Sequence, residues 1–175
     1  MMNKVFEVIE AKNIFKINLK KLSILIHPKS YIHAIIKFQD GMSKLIAHNT
    51  TMLIPIFNSI YHKEKKVFSR DKLNIKVLNN LQLSEVDQNK FPFVKILKII
   101  PQNISLFETV LVSANDELVR MYLKKKINYL DITKRLFKII NLNEFKKLKN
   151  KTPKRVIDIV NLDRYVRLKI NAKGV

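Results

Sequence analysis

Apolar and polar positions alternate along the chain in several distinct rhythms. From Asn3 to Leu19 the apolar residues Val5, Phe6, Ile9, Ile14, Phe15 and Ile17 fall mostly at helical spacing, with Glu7, Glu10 and Lys12 assigned to the opposite, solvated face. Leu22 to Ile26 is a short apolar run of the kind a buried strand makes, broken by His27-Pro28 because proline disfavours helix at the preceding residue. Tyr31 to Phe38 reads as a strand that ends at Gln39-Asp40-Gly41, a hairpin signal, with Leu45-Ile46-Ala47 as the returning strand. Thr50 to Tyr61 predicts a helix capped by Thr50 or Thr51, with Pro55 in its first turn.

The second half changes register. Lys63 to Lys90 is polar and charge-rich, with Leu73 to Leu83 as a weak strand, and reads as a linker. Phe91 to Ile100 is a short segment ended by Pro101. Ser105 to Lys126 predicts a long helix whose Ser105 and Glu108 have capping-box spacing. Leu130 to Lys149 continues the helical period, and Thr152-Pro153 opens a last helix to about Lys169 with proline at its first position. The expected fold class is therefore α+β: residues 1–62 contain a small sheet with flanking helices, 63–90 connect, and 91–175 form an all-α helical bundle.

Composition narrows the function. The chain has 175 residues, no Cys and two Gly. The first excludes a disulfide scaffold and a cysteine-based zinc site. The second excludes a self-contained dinucleotide fold or P-loop of standard sequence, since both need glycine where backbone approaches phosphate. Lys plus Arg number 34 against 14 Asp plus Glu, a formal charge of +20. Such a charge invites RNA or another polyanion as partner. Yet the lysines run through every segment and travel with Ile and Asn, as an AT-rich coding sequence supplies, and there is no Trp for base stacking. No segment approaches the roughly 18 apolar residues of a membrane span, and MMNKVFEVIE carries Glu7 and Glu10 where a signal peptide would be apolar. A cytoplasmic setting is expected.

Four local patterns carry more specific information. They are MNKVFEVIEA at Met2–Ala11, IHPKSYIH at Ile26–His33 running on to Asp40-Gly41, Met52 with Ile54-Pro55-Ile56, and SANDE at Ser113–Glu117 followed by Tyr129-Leu130-Asp131-Ile132. In this order and spacing the chain resembles the 1-deoxy-D-xylulose 5-phosphate reductoisomerases of the non-mevalonate isoprenoid pathway. The resemblance covers essentially the whole chain but only the C-terminal part of the family protein: the end of a mixed α/β catalytic domain, a linker and the C-terminal helical bundle.

What the resemblance implies is concrete. The family converts its sugar phosphate to 2-C-methyl-D-erythritol 4-phosphate with NADPH and a divalent metal, Mg or Mn, held by one Asp and two Glu. Glu7 resembles the last of these ligands. Asn3 and Lys4 resemble residues that hold the substrate's hydroxyl and phosphate groups. Glu10 is expected to support the site from behind, and Met52 to line the pocket. The NADPH-binding domain and the other two ligands lie upstream in the family, so the resemblance implies a truncated chain that binds neither cofactor and is inactive alone. A separately encoded N-terminal half would restore activity, and a homodimer through the central sheet is the expected self-assembly. A basic RNA- or polyanion-binding protein is the alternative from another class. Val5 stands where the family usually has Gly, Lys29 where Gln is common, Asn49-Thr50-Thr51 where a Pro-Asp pattern is usual, and Leu53 where Arg is common. His27 and His33 are expected to be structural, His48 and His62 carry no signal, and Asn115, Asp116 and Glu117 are expected to make intramolecular contacts.

Overall fold

The computed structural model describes residues 1–61 and 72–173; His62 and the first part of the expected linker lie outside them. Helix α1 (Met2–Phe15) is followed by a short 3-10 turn at Leu19–Lys21 and strand β1 (Leu25–Ile26). Strands β2 (Ile32–Lys37) and β3 (Ser43–Ala47) precede helix α2 (Leu53–Ile60), the single-turn helix α3 (Ile75–Leu78) and strand β4 (Ser84–Glu85). A 3-10 segment at Pro92–Lys98 leads to helices α4 (Leu106–Leu123), α5 (Tyr129–Ile140), the single-turn α6 (Asn143–Lys146) and α7 (Val156–Lys173). The class is α+β, as the patterning predicts.

The chain divides into two compact units. One comprises Met1–Ile24 with Asp87–Val175, the other Leu25–Val86. The boundaries read from the sequence fall elsewhere. α1 belongs with the C-terminal helices, and Ser84 and Glu85 return to pair with Ile26 and Leu25.

In the first unit the apolar stripe of α4 is the centre of the core. Phe107, Val110, Leu111, Ala114 and Leu118 are fully buried and meet Leu136, Ile139 and Ile140 of α5, Phe145 of α6, and Val166 and Ile170 of α7. Burying side chains of this size stabilises by roughly 1.5–3 kcal/mol each relative to exposure. Val5 joins the same core at 0% exposure.

The second unit is built on hydrogen bonds more than on burial. β2 and β3 pair antiparallel with Ile35 opposite Leu45 and Ile36 opposite Lys44, and a register shift lies between Ile32 and Ala34. Gly41 takes φ +90° in the connecting turn, a conformation open to glycine, while the Asp40 carboxylate accepts from the Met42 amide at 2.9 Å. Tyr31 is buried here, its hydroxyl accepting from the Asn74 amide at 3.2 Å.

Several expectations are corrected. The run at Leu22–Ile26 yields a strand of only two residues, with Leu25 exposed, because β1 pairs with a partner that is itself two residues long. Leu73–Leu83 is a helical turn capped by the Asn74 side chain, with strand only at Ser84–Glu85. The period from Leu130 to Lys149 is interrupted after Ile140, where Asn141 and Leu142 leave the helix and a new turn begins. Pro153 does not open α7. That helix starts at Val156, with the Asp158 carboxylate accepting from the amides of Lys154 and Arg155 at 3.3 and 3.0 Å. Ser105 caps α4 by position but makes no side-chain cap bond. Glu108 faces away from it, toward α1. The reciprocal capping box sits instead on α5, between Asn128 and Asp131.

Candidate functional site

α1 holds four of the five candidate residues. At its first turns the side chains of Asn3, Lys4 and Glu7 converge. The Asn3 amide donates to one Glu7 carboxylate oxygen at 2.9 Å, and the Lys4 ammonium donates to the other at 2.7 Å. The spacing i, i+3 and i, i+4 puts all three on one side of the helix, while Val5, Val8 and Ile9 bury the other. Lys4 and Glu7 remain about half exposed, at 56% and 45%. An exposed pair of this kind is worth roughly 0.2–1 kcal/mol, so these groups can exchange one another for a ligand at little cost.

Glu10 does not join them. It lies exposed on the next turn, at the edge of a groove of about 650 Å³ formed by α1, α4 and α7. Met52 is exposed in the second unit, immediately before α2, and Thr51 rather than Thr50 supplies the side-chain oxygen there, accepting from the Leu53 amide at 3.2 Å.

Lys12, assigned to the solvated face by its spacing, is 2% exposed. Its ammonium forms an ion pair with Glu108 and donates to the Pro101 carbonyl at 3.0 Å; Asn13 donates to the second Glu108 oxygen at 3.1 Å. These bonds lash α1 to the first turn of α4 and hold the Asn3–Lys4–Glu7 face in position. A partner 96 residues away leaves no local trace in the sequence.

The SANDE segment forms a second polar cluster, on the seam between α4 and α7. Glu117, 1% exposed, accepts from Arg120 at 2.7 Å and Asn171 at 2.8 Å. Burial pushes its carboxyl up, but these bonds and the charges of Arg120 and Arg167 outweigh it and hold it below the usual range. Asp163 is lowered in the same way: burial opposes, while hydrogen bonds from Ser113 and Arg167 prevail. Arg167 also reaches Asp116 at 3.5 Å. Asp116 and Glu117 thus make intramolecular contacts, although the second Glu117 oxygen is buried without a hydrogen bond and has only the Arg167 charge at 3.9 Å. His27 bonds the Leu81 carbonyl through Nδ1 at 2.6 Å, and the His33 and His48 rings stack at 3.6 Å, so His48 has a structural role that its sequence context does not signal. Among the described residues no three His, Asp or Glu side chains are grouped as a metal site, and no described helix is long and apolar enough to cross a membrane.

The helical unit thus carries on α1 an exposed amide, ammonium and carboxylate triplet, a polar face of the kind that meets charged ligands, and the antiparallel hairpin belongs to the other unit. The model of the DXP reductoisomerase C-terminal domain family matches residues 48–169. The 1-deoxy-D-xylulose 5-phosphate reductoisomerase of Pelagibacter ubique (strain HTCC1062) is 53% identical over 175 residues, which is 100% of this chain and 45% of that protein. That of Sulfurihydrogenibium sp. (strain YO3AOP1) is 32% identical over 148 residues, 85% of this chain and 40% of that protein. The solved reductoisomerase from Zymomonas mobilis in complex with NADPH superposes with a TM-score of 0.81 at 28% identity, over 98% of this chain and 44% of that one. A reductoisomerase in complex with NADPH, fosmidomycin and magnesium shares the fold, with a TM-score of 0.88 at 23% identity. The chain belongs to the 1-deoxy-D-xylulose 5-phosphate reductoisomerase family, and it spans less than half the length of these relatives.

Proposed function

We propose that this chain supplies one wall of the active site of a 1-deoxy-D-xylulose 5-phosphate reductoisomerase and turns substrate over only together with the N-terminal portion its relatives possess. The observation that carries the reading is the Asn3–Lys4–Glu7 triplet, mutually bonded at 2.9 and 2.7 Å on exposed helix turns, in a chain 53% identical throughout to a reductoisomerase.

The chemistry of the three groups fits that role. A hard divalent cation takes oxygen donors, and Glu7 offers a carboxylate on an accessible face; it fits one position of such a site, and the remaining donors belong to the N-terminal portion. When bound, the metal supplies polarisation of the substrate oxygens and NADPH supplies hydride. Lys4, released from Glu7, presents a point charge to a phosphate, and Asn3 offers both a donor and an acceptor to a hydroxyl. Glu10, one turn further along α1, and Met52 complete the candidate residues.

The test joins this chain to the N-terminal portion of the Pelagibacter relative and follows NADPH oxidation with 1-deoxy-D-xylulose 5-phosphate and Mg. The joined protein turns over and this chain alone does not. Glu7→Gln lowers turnover roughly 100-fold, the upper end of what perturbing even an indirect metal contact costs. A folded, joined protein whose turnover is indifferent to Glu7→Gln overturns the reading.

A further inference from the structure

The groove beside Glu10 has a composition that its own unit does not explain. Ile14, Val112 and Ile159, from three different helices, converge on it while 61%, 43% and 38% exposed. Helices of a closed bundle turn such residues inward. A contiguous apolar patch drawn from three helices in a chain of formal charge +20 marks a contact surface. The polar lining is equally selective. Glu108 is engaged by Lys12 and Asn13, and Asp163 by Arg167, so their charges are spent inside the unit. Two acceptors are left over. Glu10 has no ion-pair partner among the described residues, and Asn13 Oδ1 is buried without a hydrogen-bond partner. A buried acceptor left unmet costs roughly 1–3 kcal/mol. The occupant therefore brings apolar side chains, a hydrogen-bond donor for Asn13 and a cation for Glu10.

Resting on the reading above, we propose that this groove seats an apolar segment, with a Lys or Arg at its edge, from the N-terminal portion of the reductoisomerase chain. Two observations select that occupant over a second copy or an unrelated protein. More than half of each relative's length lies outside the match, and the matching family model is that of the C-terminal domain, so this length precedes it. The groove also shares a helix with the candidate site: α1 carries Glu7 about two turns, and Asn3 and Lys4 about three turns, before Ile14. A segment seated here fixes α1 from outside as the Lys12–Glu108 pair fixes it from within.

The chain's lack of cysteine gives a direct test. Val112→Cys, Ile159→Cys and, as a control away from the groove, Leu123→Cys are made in this chain and in the joined protein, whose remaining cysteines are replaced by serine. Maleimide labelling of the two groove positions slows at least about 10-fold on joining, and that of Leu123→Cys does not. Equal groove labelling in both contexts overturns the inference, as does concentration-dependent protection in this chain alone, which makes a second copy the occupant. Val112→Glu provides an independent readout: it lowers the melting temperature of the joined protein while leaving that of this chain unchanged, and equal effects in both count against the groove. Turnover of Glu7→Gln separates the two readings. Free labelling with turnover dependent on Glu7 sinks only the docking inference; protection with turnover indifferent to Glu7 sinks only the functional reading.

Discussion

At the scale of single residues, Lys12 and Glu108 show how an identity that looks ordinary in sequence acquires a structural task. The spacing of α1 sends Lys12 to solvent, and the spacing of α4 makes Glu108 a cap partner of Ser105. In the folded chain each abandons that local option for the other. A lysine can do this because its alkyl stem lies along apolar surface while the ammonium reaches a distant acceptor. The same two residues predict an asymmetry. Lys12→Met leaves Glu108 buried beside Asn13 with no counter-charge, and removing one partner of a buried pair costs roughly 3–5 kcal/mol. Lys12→Met combined with Glu108→Leu removes both charges and recovers most of that loss, since an apolar replacement of a buried pair is often near neutral. Urea unfolding of the two variants checks it. A single variant no less stable than the double one means that the pair contributes nothing. The Asn3–Lys4–Glu7 triplet behaves oppositely: its partners are three and four residues apart, yet its residues were singled out by the resemblance of MNKVFEVIEA and not by their spacing.

At the scale of elements, the α4–α7 seam joins a legible feature to an illegible one. The length of α4 and the polar character of SANDE are plain from the sequence. The long-range partners are not: Glu117 takes Asn171 and Arg167 from a helix some 50 residues away, and Asp163 takes Ser113 from across the seam, while the Asp163–Arg167 bond, four residues apart, is local. The break after Ile140 was hidden for a similar reason: apolar residues continue at helical spacing through Phe145 and Leu148, both of which reach the core, and only the backbone turn shows that they do so from separate elements. The seam also carries a pH dependence. Both carboxyls are held below their ordinary values in the fold. A lowered carboxyl binds its proton more weakly folded than unfolded, so its stabilisation is complete above the ordinary range near pH 4 and is lost as pH falls through the lowered value. The thermal midpoint of this chain is therefore expected to fall more steeply below pH 4.5 than that of Glu117→Gln, which is less stable at pH 7 and has one fewer proton to gain. Parallel slopes for the two proteins in circular-dichroism melts would refute the assignment.

At the scale of the whole chain, the two units differ in how far they explain themselves. The first carries a core centred on α4, and its helices follow from apolar periodicity. The second exposes Ile35, Ile36 and Phe38 near one strand, and Leu45 and Ile46 on the other, all between 40% and 46%. The hairpin was legible from Asp40-Gly41 and the flanking apolar runs because a tight turn is a local event. What covers it was not, since β2 and β3 form a sheet of two strands among the described residues. Two-stranded sheets are marginal unless a face or an edge is covered, and open apolar edges recruit further strands. A homodimer formed through this sheet, the self-assembly the resemblance implies, would satisfy both needs. It predicts that the chain self-associates in sedimentation equilibrium, and that Ile36→Lys, which places a charge on β2 without touching the core of the first unit, shifts it toward monomer by 10-fold or more in dissociation constant. Val112→Glu, in the groove of the first unit, leaves that equilibrium unchanged. Self-association that responds to Val112→Glu and ignores Ile36→Lys would transfer the interface from the hairpin to the helices and overturn both assignments at once.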